Sequence, residues 1–315
     1  MKKTLSVIIP TIGGKSRIPY LNLMLDSIFR QTIPFDEIII FDNSGKKNVR
    51  GQVKEQYQKH PDIKWYCSDE MLPISESFRT AASYCSCDYM TIQGDDDEFY
   101  PDYAAKIHAR LSEDPGIIIT PFEFMDENGN DLLIYERFPL KDMPIKAFLN
   151  KELNIVFGAL CFARSIYLAT SGFKSFCFKG LYMDWLLFWE MGMLCKKISV
   201  IPSYVIRYRK NNQWTGTIKN LDELEKFCIG LKQSETFSRQ LFLENGYSEN
   251  DCRFLNDLFR SHQIVWYLRS WDLSLKDVIC LCFRKYPAKL EFRFRDRFYV
   301  LRHIFQYVHR NGKEQ

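Results

Sequence analysis

The first 120 residues alternate short apolar runs with stretches of helical period, and this restricts the chain to very few architectures. Runs at 5–9, 37–41, 63–66, 89–93 and 117–120 have the length and apolar character of strands covered on both faces. Between them Leu21, Leu25, Ile28 and Phe29 recur at helical spacing. Residues 49–59 read as a helix with a polar face and 75–84 as another, and Pro101 opens a further helix at the position proline favours. Strand–helix–strand repeats need crossover connections, which run neighbouring strands parallel and put helices on both sides. The expected class is α/β, with a mostly parallel, Rossmann-like central sheet.

The middle of the chain is mixed. Asp126-Glu127-Asn128-Gly129-Asn130 reads as a hairpin turn between two strands. Residues 183–194 read as a helix carrying Trp185, Phe188 and Trp189, and 198–201 and 204–208 as strands. Past Asn220 the pattern becomes amphipathic helix over 221–247, 251–270 and 273 to the end. A boundary near Thr217 divides a catalytic domain, 1–217, from a helical extension, 218–315. Hydrophobic residues make up 46% of the chain, enough for a real core and too many for a disordered protein.

Several functional classes lack their signatures. Of the ten cysteines, Cys85/Cys87 and Cys280/Cys282 form C-x-C pairs rather than the C-x-x-C knuckles of a zinc site. The cysteines are expected to be reduced, mostly buried thiols, and with no secretion signal at the start the expected compartment is cytoplasmic. Gly13-Gly14-Lys15-Ser16 lacks the first glycine of a P-loop, and no G-x-G-x-x-G follows a strand. The five histidines are scattered, without an H-E-x-x-H pattern.

In an open parallel sheet, ligands bind outside the carboxyl ends of the strands. The residues there are Pro10-Thr11, Asp42-Asn43 and Gly94-Asp95-Asp96-Asp97. Three adjacent carboxylates repel one another, so grouping them at a strand end is costly unless a cation offsets the charge. Hard divalent ions take carboxylate oxygens and keep positions open for phosphate. The plainer alternative is a solvated acidic turn ahead of the helix at Pro101.

Together, Ser6-Val7-Ile8-Ile9-Pro10-Thr11, Asp42-Asn43-Ser44 and the stretch from Tyr89 through Gly94-Asp95-Asp96-Asp97 to Pro101 resemble a family 2 glycosyltransferase of the GT-A fold. Tyr182-Met183-Asp184-Trp185 and Tyr208-Arg209-Lys210-Asn211-Asn212 extend the resemblance, which covers roughly 4–217. It implies that Pro10 and Thr11 line a nucleoside pocket, that Asp42 accepts from the base, and that Arg79 sits against base or phosphate. Asp95 would touch the ribose, and Asp96, helped by Asp97, would hold Mn²⁺ or Mg²⁺ on the diphosphate. Family members often read Asp-x-Asp-Asp here, and Gly94 replaces the first Asp. Asp184 falls where the family places its base, implying inversion at the anomeric carbon. Beside Met183 and Trp185 its carboxyl should be partly desolvated and its pKa raised. Arg209 and Asn211 stand where relatives carry diphosphate or metal contacts, with Asn211 in place of a His, and Trp185 and Trp214 are candidates for an acceptor floor.

The implied reaction moves a sugar from a nucleoside diphosphate, UDP being the commonest in the family, to a hydroxyl of a glycan or lipid-linked glycan, as in polysaccharide biosynthesis. Two alternatives stay open: a non-catalytic nucleotide-sugar or glycan binder that kept the fold, and a nucleotidyltransferase. From Phe283 onward the chain is rich in Arg, Lys and aromatic residues. Such a tail suits the inner face of an anionic membrane, or packing on the catalytic domain with its charges solvated. Nucleic acid is a poorer partner, since no recognition module accompanies the charge.

Overall fold

The computed structural model describes residues 2–132, 141–146, 156–195, 197–210 and 221–256. The basic tail from Phe283 onward therefore lies outside the described residues. Contacts divide the chain into two compact units, Met1–Ser175 with Met183–Gln213, and Phe176–Tyr182 with Trp214–Gln315.

The first unit is built on a seven-stranded sheet in the order β10-β6-β9-β4-β1-β2-β3. Strands β1 (Leu5–Thr11), β2 (Glu37–Asp42), β3 (Ile63–Cys67) and β4 (Tyr89–Ile92) pair in parallel. They are joined through helices α1 (Ile18–Phe29), α2 (Glu55–Gln58) and α3 (Ile74–Ser83). Every residue of β1 is buried, as expected of a strand covered on both faces. The chain steps from β1 outward to β2 and β3, then returns to place β4 on the other flank of β1. That reversal opens a crevice at the carboxyl ends of β1 and β4.

The expected mostly parallel sheet is broken at one place. Strand β9 (Leu160–Ala163) lies between β4 and β6 (Ile117–Ile119) and runs antiparallel to both. It arrives there after the chain has left the large sheet to build a second one. Beyond β6, β10 (Ile198–Val200) pairs in parallel at the edge. The second sheet has the order β5-β11-β7-β8, from Glu98–Phe99, Ile206–Arg209, Phe122–Met125 and Asp131–Leu132. The turn read at 126–130 does connect two antiparallel strands, β7 and β8. Asp126 fastens it by accepting from the backbone N–H groups of Asn128 and Asn130.

Two helix expectations need correction. Residues 49–59 form a 3₁₀ turn, Arg50–Gln52, and the short α2, separated by Val53 in an extended conformation. The Val49 N–H is taken by Asp42 Oδ2 at 2.9 Å, which ties the segment to the end of β2 rather than to a helix. Helix α4 begins at Tyr103 rather than Pro101 (Tyr103–Leu111), with Asp102 at the N-cap position, its carboxylate turned to Lys106 instead of capping the helix. Helix α5 (Arg164–Leu168) follows β9, and α6 spans Met183–Leu194. Buried residues lie all round α6, among them Leu186, Phe188, Trp189 and Met191, which marks it as a core helix.

The second unit centres on α7 (Leu221–Glu244). Phe237 and Phe227 meet Phe176 and Tyr182 at ring distances of 6.4 and 5.8 Å. Lys179 pairs with Glu223 at 2.8 Å. Gly230 lets the segment 176–182 approach α7, since a Cβ there would stand 2.5 Å from the Phe176 carbonyl oxygen and 2.6 Å from Tyr182 Oη. Among the described residues no helix is long and apolar enough to cross a membrane.

Candidate active site

The acidic turn sits at the β1/β4 crevice. It leaves β4 of the large sheet and enters β5 of the small one, so both its ends are fixed by strand pairing. Gln93 N–H still donates to Ile8 O at 2.9 Å, extending the β4–β1 ladder to the edge of the turn. Beyond the turn, Phe99 and Glu98 pair with Ile206 and Arg207 of β11.

Each carboxylate has a different environment. Asp95 is 2% exposed and accepts from Thr11 Oγ1 at 2.5 Å, which links the ends of β1 and β4 directly. Arg17, at the start of α1, also grips Asp95, through Nε at 2.9 Å and through Nη2. The same guanidinium lies 3.4 Å from Asp96 Oδ2. Burial works against the Arg17 charge, but the charge and hydrogen bonds of Asp95 outweigh it and hold its pKa above the ordinary value. Asp97 is buried and accepts the Arg209 N–H at 2.9 Å. Desolvation, followed by the neighbouring charge of Asp96, pushes its pKa well above the usual carboxylate range.

Arg209 works from beneath. Its side chain is 1% exposed and spends its N–H groups on the carbonyls of Asp96, Asp126 and Glu127 and on Glu98 Oε1 at 2.6 Å. In this conformation it clamps the turn instead of facing a ligand.

Gly94 explains the departure from Asp-x-Asp-Asp. A Cβ at this position would lie 3.0 Å from both Asp96 Oδ1 and Asp97 Oδ2. Two carboxylate oxygens from different residues therefore converge on space that any side chain at 94 would take. Oxygen donors sharing one small space, with a surplus of negative charge, fit a hard divalent ion such as Mn²⁺ or Mg²⁺. Asp96 and Asp97 would supply such a pair, while Asp95 is already engaged by Arg17. Among the described residues no group of three or more His, Cys, Asp or Glu side chains is arranged to hold a metal.

Asp184 occupies the first turn of α6. Its Oδ1 accepts from the Trp185 N–H at 2.9 Å, and Trp185 stacks edge-on with Trp189 at 6.0 Å. Desolvation raises its pKa from 3.8 to about 7, with the Trp185 N–H opposing. Tyr208 relates this carboxyl to the turn. The pKa of its hydroxyl is raised well above the ordinary value by desolvation, then by the charges of Asp97, Asp96 and Asp184. The charges of the base candidate and of the acidic turn are thus both felt at the Tyr208 hydroxyl.

The other expected site residues are placed as follows. Pro10 and Thr11 are buried at the end of β1. Asp42 is buried, and its two oxygens accept from the Ser44 and Val49 N–H groups at 2.9 Å each, so it braces the 42–49 loop. Asn43 pins the segment after β3 through both main-chain groups of Leu72. Arg79 is exposed on α3, its Cδ 3.8 Å from where a Cβ on Gly172 would lie. Asn211 and Trp214 lie outside the described residues. Neither Arg17 nor Tyr208 is among the site residues expected from the sequence. Arg17 follows the glycine pair that only superficially resembles a P-loop, and Tyr208 stands beside the Arg209 that was singled out.

A strand-order reversal with an acidic turn lodged at it is the arrangement of the GT-A fold, and this structure is of that class. Within it, the family model described as "Glycosyl transferase family 2" matches residues 6–169, just over half of the 315-residue chain. The chain belongs to glycosyltransferase family 2. A search of curated proteins returns no match. Among solved structures, S. aureus TarS 1-349 superposes with a TM-score of 0.66 at 13% identity, covering 98% of this chain and 92% of that one. The same TarS fragment in complex with UDP-GlcNAc gives 0.62 at 12% identity, with the same coverage. At such identity the likeness shows the fold alone.

Proposed function

We propose that this chain transfers a sugar from a nucleoside-diphosphate donor, a UDP-sugar, to a hydroxyl of a glycan or lipid-linked glycan, with inversion. The observation carrying this reading is Asp184 in the first turn of α6, a desolvated carboxyl pushed up to about 7 whose charge, like those of the acidic turn, is felt at Tyr208. A base tuned close to neutral pH is what deprotonation of an acceptor hydroxyl requires. Asp184 takes that proton as the hydroxyl attacks the anomeric carbon from the side opposite the departing diphosphate. Trp185, half-buried beside it, offers an indole edge for an acceptor sugar.

The nucleoside side is assigned to the opposite part of the crevice. Pro10 and Thr11 line it, Asp42 braces the loop 42–49 and accepts from the base with the lone pairs those backbone bonds leave, and Arg79 approaches from α3. Asp95 faces the ribose. Asp96 and Asp97 would hold Mn²⁺ or Mg²⁺, which when bound supplies positive charge for the leaving diphosphate. That TarS is crystallised with UDP-GlcNAc and with UDP supports a uridine donor. Gly94, the feature favouring a non-catalytic binder, has a steric reason in the converging oxygens of Asp96 and Asp97.

Incubation with UDP-, GDP- and dTDP-sugars plus Mn²⁺ tests the proposal. Slow release of UDP from one UDP-sugar, abolished by Asp184→Asn, is the expected result. Tight binding without release from any sugar would make the protein a binder. Pyrophosphate release from a nucleoside triphosphate would make it a nucleotidyltransferase.

A further inference from the structure

Arg17 has no place in the chemistry so far, yet it makes the closest contacts at the acidic turn. Its guanidinium is bidentate on Asp95 and reaches Asp96 Oδ2 at 3.4 Å. Its side chain is 17% exposed, against 3% for Asp95 and 19% for Asp96, so the pair with Asp96 lies on the open side of the turn. A guanidinium is planar, always charged and suited to two carboxylates at once. It therefore occupies, electrostatically, part of the role a divalent ion would fill.

We propose that Arg17 is a tethered counter-cation that competes with the divalent ion for Asp96, keeping the donor-free turn neutralised and yielding Asp96 when metal and nucleotide arrive. This rests on the reading of Asp96 and Asp97 as the metal-holding pair. Three observations carry it. Without Arg17, Asp95 would be a buried carboxylate with only the Thr11 hydroxyl to offset it, so the turn needs a resident positive charge. The contacts are unequal: two N–H groups hold Asp95, whereas Asp96 is met only at 3.4 Å, so Asp96 can be given up while Asp95 is kept. Finally, the connection from β1 to Arg17 passes through Gly13 and Gly14, at φ 59° and 98°, and a Cβ at Gly14 would meet nothing within 4 Å. Gly13 is packed against Val49, but Gly14 borders open space and the Arg17 side chain keeps 17% exposure, so the guanidinium can swing away from Asp96 toward the open side. Released from Asp96, its charge remains beside the crevice, where a diphosphate is the natural partner.

The test is Mn²⁺ binding to the full chain without nucleotide, read by the electron paramagnetic resonance signal of free Mn²⁺. Arg17→Gln is expected to bind Mn²⁺ at least about tenfold more tightly than wild type, because a positive charge next to the incoming dication is gone. Arg17→Lys, which keeps the charge and loses the fork, should fall between them, and it preserves the test if the glutamine variant does not fold. Equal or weaker Mn²⁺ binding by folded Arg17→Gln, with binding still lost in Asp96→Asn, overturns the competition and leaves the metal pair standing. No Mn²⁺ binding by any of these proteins, even with UDP added, removes the metal pair and the competition with it.

Discussion

Replacing Asp184 by Asn should separate catalysis from stability in opposite directions. The amide keeps the size of the carboxyl and cannot take a proton from an acceptor hydroxyl, so UDP release at pH 8 should fall by about 10²–10⁴-fold. Stability should rise. In the folded protein the carboxyl titrates near 7, and in the unfolded chain near 3.8. Between these values the folded state keeps a proton that the unfolded state has released, so wild type loses stability as pH rises through that window. Three pH units of separation at ~1.4 kcal/mol each give a ceiling of ~4 kcal/mol, which residual exposure reduces to ~2–4 kcal/mol. The variant carries no such penalty. Thermal melting of both proteins at pH 4, 6 and 8 checks this. The midpoints should nearly coincide at pH 4, separate through pH 6 and differ at pH 8 by roughly 5–10 °C in favour of the variant. Wild-type turnover should climb with pH through about 7 and level off. A variant that keeps its transfer rate, or melts in parallel with wild type at every pH, would refute the assignment of a desolvated base.

Two further substitutions probe the turn. Gly94→Ala places a methyl 3.0 Å from Asp96 Oδ1 and Asp97 Oδ2. It should weaken Mn²⁺ binding at least about tenfold while shifting the melting midpoint little, since a displaced carboxylate costs less than a lost core contact. Arg209→Met leaves Glu98 with the longer 3.4 Å contact to Arg207 in place of its 2.6 Å partner, and frees the Asp96 carbonyl. With Arg207 still offsetting part of the Glu98 charge, the expected cost is about 2–3 kcal/mol in urea unfolding, with activity lost alongside. Full stability in that variant would mean that the clamp under the turn does not matter.

The parts of the fold that could be read from sequence are those in which short-range pattern and topology agree. The runs that became β1 to β4 are apolar because both faces are covered, and the helical stretches between them force parallel pairing. The acidic turn followed from its place after β4. Strand β9 could not be read this way, because Leu-Cys-Phe-Ala looks alike in either direction and its slot between β4 and β6 is set by an excursion through a second sheet. The helix expected at 49–59 is interrupted at Val53, whose extended backbone separates the 3₁₀ turn from α2, while Asp42 holds the Val49 N–H at the end of β2. Within the site, Asp95 through Asp97 and Asp184 were visible as residue types in position. Their division of labour was not, since it depends on two arginines 192 positions apart, Arg17 above the turn and Arg209 below it.

The short link between β4 and β5 behaves like a bridge with a pier in each sheet. Both residues of β5 are buried, Glu98 at 9% and Phe99 at 3% exposure, so an inserted amino acid would have to be absorbed within 94–97, where even a Cβ on Gly94 would crowd Asp96 and Asp97. Its length is therefore under a steric veto that the peripheral loops escape. Loops at the rim are the freer place to accommodate a new sugar or acceptor, while the span between the two piers has no slack for an added side chain at Gly94.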